Sequence, residues 1–170
     1  AWEANKRLIK DGRFGDHLMC LIPSQNAPFI PIYEAWMTTG RHMDTMEASE
    51  ARKKSSSIKA KVLSNRKPPY GIPGGLYDAL IDSDGFMDYA TNEELERALS
   101  TFEELEGIDI DPAAAVATAS LMKNVKNGKV CRSAVIMLNI TGGGEARFKK
   151  EHEIFYLKPV KEASLLSVFC

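Results

Sequence analysis

The stretch LNITGGGEARFKK, from Leu138 to Lys150, sets one threonine and three glycines directly after an apolar run. Consecutive glycines permit positive φ angles and let a ligand approach the backbone closely, as in many phosphate-binding turns. Two common phosphate motifs are nevertheless absent. The turn has no lysine where G-x-x-x-x-G-K-[ST] requires one, and no third glycine where G-x-G-x-x-G requires one. Glu145 would also repel a phosphate. The candidate binding residue is therefore Thr141, whose hydroxyl follows the apolar run, and the alternative is a tight turn that binds nothing.

A second candidate is the basic stretch RKKSSSIKAKVLSNRK, at 52–67, in a chain whose formal net charge is −1. Its basic residues are Arg52, Lys53, Lys54, Lys59, Lys61, Arg66 and Lys67. No aromatic residues alternate with them to stack on bases, so we predict no nucleic-acid partner. Two interpretations stay open: a solvated loop, or a site that draws a small anion into a cleft.

The segment NRKPPYGIPGGLYDAL, which begins at Asn65, overlaps the end of this basic stretch. Its closely spaced prolines and glycines make a loop that is too rigid to be a linker. The segment therefore predicts either a pocket wall or a structural connector.

The other reactive side chains follow no catalytic or metal-binding pattern. They include His17, His42, His152, Cys20, Cys131 and Cys170. The histidines lack metal-ligand spacing, so we predict no metal site. The cysteines lack C-x-x-C spacing, which favours a reducing cytoplasm. No apolar run approaches the ~20 residues of a membrane span, so we expect a cytoplasmic protein without membrane contact.

Two apolar runs predict strands that are covered on both faces: Leu18–Ile22 and Ser133–Asn139. KAKVLS and GFMDYA predict shorter strands. The second long run leads directly into Thr141, which would place its hydroxyl at the carboxyl end of a buried strand.

Helical patterns separate these strands. They occur in AWEANKRLIKDG, PFIPIYEAWMTTG, GGLYDALIDS, TNEELERALSTFEELEG and DPAAAVATASLMKNVKNG. Asn26 is the predicted cap of the second helix and Gly40 its end. Thr91 and Glu94 form a capping box, and Leu95, Leu99, Phe102 and Leu105 share one face of the helix that follows. The alanines that follow Pro112 allow another backbone to approach closely.

Helices that alternate with buried strands predict a doubly wound, mostly parallel α/β sheet with helices on both faces. Ligands of such sheets bind beyond the carboxyl ends of the strands, where Thr141 would lie. At 170 residues the chain fits a single α/β unit, 1–170, with a tail of unclear structure at 157–170. The first helix begins without a capping residue, which leads us to expect further residues upstream.

Several motifs, taken in order, resemble those of the threonine-synthase-like pyridoxal-phosphate enzymes of the tryptophan-synthase-β fold type. These motifs are Glu106-Gly107-Ile108, Asp111-Pro112-Ala113 and Thr141-Gly142-Gly143-Gly144, and they follow an acidic helix. The resemblance runs from the first residue to the 150s. It implies that the chain is the C-terminal part of a larger catalytic domain and is incomplete relative to the full fold.

Within this family, the motifs are most similar to those of the cysteate synthase branch. Glu145-Ala146-Arg147 follows the glycines where Lys-Asp is usual, and Asp111 stands where a glutamate is usual. NRKPPYGIPGGLYDAL also looks like that branch's version of a substrate-side loop. The implied reaction joins O-phospho-L-serine and sulfite to give L-cysteate and phosphate in coenzyme M biosynthesis.

The resemblance also implies roles for particular residues. The hydroxyl of Thr141 would hydrogen-bond the pyridine nitrogen of pyridoxal 5'-phosphate, and Gly142 and Gly143 would give clearance to the ring. The Schiff-base lysine and the phosphate loop would lie upstream, so the chain alone would be inactive. The expected assembly is a homo-oligomer. Two alternatives stay open: threonine synthase acting on O-phosphohomoserine, and a stand-alone binding module without catalytic activity.

Overall fold

A computed structural model describes residues 1–38 and 40–158 of the chain. Within these ranges the fold is mixed α/β, with seven α-helices and a two-stranded parallel sheet. The elements are α1 (Trp2–Asp11), β1 (Ser24–Asn26), α2 (Pro31–Thr38), α3 (Ala48–Ser57), α4 (Leu76–Asp82), β2 (Asp88–Ala90), α5 (Asn92–Glu106), α6 (Pro112–Lys126) and α7 (Glu145–Glu151), with a 3-10 helix at Lys61–Leu63. None of the described helices is long and apolar enough to cross a bilayer.

The sheet pairs β1 with β2 in parallel, with Ser24 opposite Asp88 and Asn26 opposite Ala90. The side chain of Asn26 is fully buried and joins three segments. Its Nδ2 donates to the carbonyl oxygen of Ala90 at 3.1 Å, and its Oδ1 accepts from the backbone N–H groups of Lys59 and Ala60, each at 3.0 Å. A buried amide is satisfied in this way without a charge.

The best-packed part of the molecule is the α5–α6 pair, which lies against β2. α5 begins with the predicted capping box, in which Thr91 and Glu94 exchange hydrogen bonds, and ends at Gly107 with φ +70°. Leu95 is buried, while Leu99 and Phe102 pack at the edge of the same core. Leu105, in the last turn of α5, is 77% exposed and lies outside this core.

The alanines of α6 allow the close approach that the sequence predicts. Ala114, Ala115, Val116 and Ala119 are buried in one cluster with Leu95. Small side chains let helix axes come near each other, and apolar burial across this contact stabilises the fold.

The predicted doubly wound sheet is not confirmed, because neither long apolar run forms a strand in the described residues. In the first run, the carbonyl of Leu21 accepts from the N–H of Phe86 at 3.1 Å, but the ladder assigned as β1 begins only at Ser24. In the second run, Val135 is fully exposed and Met137 largely so. A strand covered on both faces requires neighbouring elements, and the described residues provide none for Ser133–Asn139.

Three local predictions also need correction. α2 begins at Pro31, and Gln25 rather than Asn26 bonds its first turn, because Gln25 Oε1 accepts from the N–H groups of Ile32 and Tyr33, each at 2.9 Å. KAKVLS contains the 3-10 helix rather than a strand. The basic stretch is not one loop, because its residues 52–57 belong to α3 and Lys61–Leu63 form the 3-10 helix. Sequence periodicity is weak over such short segments, so tertiary contacts decide their form.

The remaining short elements agree with the sequence. α1 and α4 lie where helices are predicted, and GFMDYA contains β2. Gly40 has φ +68° and its N–H donates to the carbonyl of Ala35 at 2.8 Å, which ends α2 as expected. The predicted tail at 157–170 lies outside the described residues from 159 onward.

Candidate functional site

The glycine turn after Thr141 runs alongside the connection between α5 and α6. The N–H of Asp111 donates to the carbonyl of Gly142 at 2.9 Å, and the N–H of Gly144 donates to the carbonyl of Asp109 at 2.8 Å. Gly143 forms an isolated antiparallel bridge with Ile110. The turn is therefore fixed to the segment that starts α6, the helix at the centre of the core.

This contact explains why the turn contains glycine. A Cβ at Gly143 would overlap the backbone carbonyl oxygen of Asp109, and a Cβ at Gly142 would overlap the Asp111 carboxylate. A backbone atom cannot move aside as the end of a side chain can. Gly143 thus gives clearance to the chain's own backbone, and clearance for a cofactor ring stays a prediction.

The turn leads into α7, a helix that the sequence interpretation missed. Asp109 Oδ2 accepts from the N–H of Ala146 at 3.1 Å, in the first turn of α7. Gly144 precedes the helix with φ +75°. The signal that predicts this helix is Glu145 four residues before Lys149, an i,i+4 ion pair that the structure contains at 2.6 Å.

Thr141 lies in the exposed, irregular segment just before the glycines. A threonine hydroxyl both donates and accepts, so it suits a pyridine nitrogen, and its exposure leaves room for a ring to reach it. By donor chemistry and access, Thr141 fits the cofactor role that the resemblance implies.

The segment from Asn65 onward forms one wall of a cavity of about 230 Å³. Arg66, Lys67, Pro68, Tyr70 and Gly71 line this wall. The opposite wall contains Phe29, Pro31, Met43, Asp44, Thr45, Met46 and Ala51. The predicted pocket wall is therefore confirmed, whereas nothing in the sequence identified the facing loop at 43–46.

Several contacts hold this wall in place. The buried Tyr70 donates its hydroxyl to the carbonyl of Gly40 at 2.7 Å, and burial raises the pKa of Tyr70 to about 12. Arg41 donates to the carbonyl of Gly71 at 3.2 Å and also pairs with Asp78. The hydrogen bond to the Arg41 side chain lowers the pKa of Asp78, which keeps this pair ionised.

The basic residues at 52–67 do not act as one patch. Only Arg66 and Lys67 line the cavity. Lys54 of α3 pairs with Glu50 at 2.9 Å, and Lys59 pairs with Glu96 of α5. These ion pairs belong to the exposed surface, where each contributes little to stability.

A buried polar cluster that the sequence interpretation missed joins β2 to α6. Asp88 Oδ2 accepts from Ser120 Oγ at 2.7 Å and from Asn124 Nδ2 at 2.6 Å, and Asp88 Oδ1 lies 2.9 Å from Lys123 Nζ. Burial alone would raise the pKa of Asp88, but the hydrogen bonds from Lys123 and Ser120 outweigh it and hold the pKa below its usual value. The signal in the sequence is the i, i+3, i+4 spacing of the polar residues on an otherwise apolar helix.

No family model matches the chain. Among curated proteins, it is 48% identical over 163 residues to a cysteate synthase of Methanosarcina barkeri, a match that covers 95% of the chain and 39% of that protein. It is 48% identical over 160 residues to the cysteate synthase of Methanosarcina acetivorans, covering 94% of the chain and 38% of the relative. A cysteate synthase of Methanocorpusculum labreanum is 49% identical over 154 residues, a match that covers 90% of the chain and 37% of that protein.

These three relatives come from two genera and carry the same name. The chain spans less than two-fifths of the length of each. Over nearly its whole length, the chain is a homologue of the cysteate synthases, the group that its motifs resemble.

Proposed function

We propose that the chain is part of a cytoplasmic, pyridoxal-phosphate-dependent cysteate synthase. The reaction joins O-phospho-L-serine and sulfite to give L-cysteate and phosphate, as a step in coenzyme M biosynthesis. The observation that carries the proposal is the 48% identity over 163 residues to a relative of that name. The cavity beside Arg66 and Lys67 supports it, because both substrates and the released phosphate are anions.

Pyridoxal phosphate supplies an electron sink that makes loss of a group from the substrate's Cβ feasible. In the proposed enzyme, Thr141 would hold the pyridine nitrogen of the cofactor through a neutral hydroxyl, which would supply no formal charge there. Gly142 and Gly143 keep the turn beside Asp109–Asp111, so the hydroxyl is presented from a fixed backbone. The main task of this chain is thus to orient the ring, while the lysine that carries the cofactor belongs to the part of the enzyme outside this chain.

Arg66 and Lys67 attract the anionic substrates in this proposal. Both side chains are exposed at the cavity and reach solvent, from which substrates arrive. Positive charge at the mouth of a cleft raises the local concentration of anions and speeds their association, and salt weakens the effect.

We also propose the finer architecture for the complete enzyme, a doubly wound and mostly parallel sheet. Ser133–Asn139 would then be a strand, because its apolar residues are left uncovered by the residues that the structure describes. The exposure of Val135 and Met137 supports this view. In that architecture Thr141 follows the carboxyl end of a strand, where ligands of such sheets bind.

The function is tested with the longer protein that contains this chain. Supplied with pyridoxal phosphate, it is expected to form cysteate from phosphoserine and sulfite and to release phosphate in equal amount. Formation of threonine from phosphohomoserine, without cysteate, would instead identify a threonine synthase. If the 170-residue chain alone turned over substrate, the proposal that the catalytic lysine lies elsewhere would be wrong.

The role of Thr141 is tested by Thr141→Val with Thr141→Ser as its matched control. Valine keeps the shape but removes the hydroxyl, so kcat is expected to fall about tenfold, the equivalent of one good hydrogen bond. Serine is expected to retain most of the activity. The absorbance spectrum of the bound cofactor gives an independent readout, and an unchanged spectrum and kcat in Thr141→Val would exclude the assigned contact.

A further inference from the structure

We propose that the cavity between the loop at 43–46 and the wall at 66–71 is a binding site for a small oxyanion. Arg66 and Lys67 would hold it, and its ligands in the enzyme would be sulfite or phosphate. The inference rests on the proposed function for the choice of anion, and on the cavity itself for the site.

The first argument is charge. Within residues 1–38 and 40–158, Arg41, Lys54 and Lys59 have carboxylate partners, whereas Arg66 and Lys67 form no ion pair. Arg66 Nη2 donates to the carbonyl of Met46 at 3.4 Å, and Met46 also lines the cavity. Two adjacent cations with unneutralised charge face a cavity that contains one carboxylate, Asp44. The net charge at the site is positive.

The second argument is the nature of the walls. Phe29 and Tyr70 are almost fully buried, and the methionines at 43 and 46 add further apolar surface. Apolar walls reduce screening by water, so a charge at the mouth acts more strongly than on an open surface. The Tyr70 hydroxyl donates to the carbonyl of Gly40 at 2.7 Å and adds no competing negative charge.

The third argument is size. A volume of about 230 Å³ is below the roughly 300–1,000 Å³ typical of pockets for drug-sized ligands. A three- or four-oxygen anion with its remaining waters fits this class better than a nucleotide does. Arginine offers a planar fork of donors and lysine a compact charge, which together suit an anion that accepts several hydrogen bonds.

The fourth argument is preorganisation. The residue after Tyr70 is Gly71, where a Cβ would overlap the carbonyl oxygen of Arg41. Arg41 in turn lies over the ring of Tyr77 at 4.7 Å and pairs with Asp78 of α4. The wall is thus fixed to α4 through Arg41 before a ligand arrives, which lowers the entropy lost on binding.

The test measures binding of sodium phosphate and of sodium sulfite to the 170-residue chain by titration calorimetry, without cofactor. Arg66→Gln and Lys67→Gln are each expected to weaken binding about tenfold, the loss expected for one charge-assisted contact. Lys53→Gln is the matched control, because Lys53 is an exposed cation of the same stretch on α3 and does not line the cavity. Circular dichroism and urea unfolding check that each variant is folded.

Equal weakening by Lys53→Gln and Arg66→Gln would overturn the proposal, since it would indicate diffuse attraction by the stretch. Absence of binding to the parent chain would overturn it too. Tighter binding of sulfite than of phosphate would identify the cavity as the site for sulfite, the incoming nucleophile. Tighter binding of phosphate would identify it as the site for the phosphate group of phosphoserine. Because no turnover is measured, failure here leaves the proposed reaction standing, and failure of the cysteate assay leaves the anion site standing.

Discussion

The segment at 130–140 contains a larger fraction of apolar residues than the α5–α6 pair, yet the core forms around the α5–α6 pair. Leu95 of α5 is 1% exposed, whereas Val135 is fully exposed. The difference lies in available partners, because α5 packs on α6, and α6 packs on β2, while Val135 has no packed neighbour among the described elements. Hydrophobic residues therefore stabilise a fold only where the chain supplies a second surface, and apolar composition alone does not identify a core.

The largest expected difference between the two regions comes from truncating one side chain in each. Leu95→Ala should lower the free energy of unfolding by about 2–5 kcal/mol, because it removes buried methyl groups and leaves a cavity. Val135→Ala should change it by less than about 0.5 kcal/mol, as at other exposed positions. Urea unfolding of both variants measures this, and similar losses would contradict the packing described for the two regions.

A second prediction concerns the polar link inside the packed region. Asp88→Asn removes the charge that pairs with Lys123 and leaves the Ser120 and Asn124 donors with a weaker acceptor. We expect a loss of about 2–3 kcal/mol, the range for hydrogen bonds to a charged group. Glu104→Gln on the exposed side of α5 is the control and should be neutral. A neutral Asp88→Asn would mean that the cluster adds nothing to the β2–α6 contact.

The same carboxylate predicts a pH dependence. Because the pKa of Asp88 is lower in the folded chain than in the unfolded one, its stabilisation is fully present above the unfolded value of about 3.9. It is lost as the pH falls through the lower, folded pKa. The difference in unfolding free energy between the parent chain and Asp88→Asn should therefore shrink on acidification below about pH 4. A difference that grows on acidification would reverse the assigned direction.

The smallest effect is expected at the border between the two regions, where the glycine turn contacts Asp109–Asp111. Gly143→Ala should cost about 1–3 kcal/mol locally, since its Cβ meets a backbone carbonyl. Gly142→Ala should cost less, because the Asp111 side chain can rotate away. Hydrogen exchange of the Ala146 amide, which bonds to Asp109 at 3.1 Å, reports this local opening. Faster exchange in Gly142→Ala than in Gly143→Ala would contradict the assignment.

Local signals in the sequence predicted the helices of the packed region well. The Thr91–Glu94 box and Gly107 fix both ends of α5 within a few residues of chain, so neighbouring elements are not needed to locate them. The strands predicted from the apolar runs at 18–22 and 133–139 cannot be located from local residues in this way. A strand exists only through a partner's hydrogen bonds, and the sequence of one strand does not contain its partner.

The candidate site likewise has one part that the local sequence predicts and other parts that it does not. The rigid loop from Asn65 onward signals a pocket wall through its own prolines and glycines, and the structure confirms it. The facing loop at 43–46 and the carboxylate of Asp88 acquire their roles only through residues distant in sequence. No neighbouring residue in the sequence identifies the loop at 43–46 or Asp88 as part of a site. For the Asp88 cluster, the polar spacing on α6 indicates only the residues that α6 contributes.

Asn26 connects β2 to the start of the 3-10 segment through both ends of one amide. Slow hydrolysis of that amide, a common form of chemical ageing in stored proteins, would turn its donor into an acceptor. An oxygen in place of Nδ2 would then face the carbonyl oxygen of Ala90 with no proton between them, at a fully buried position. The link between β1 and β2 at this point therefore depends on the amide of Asn26 staying intact.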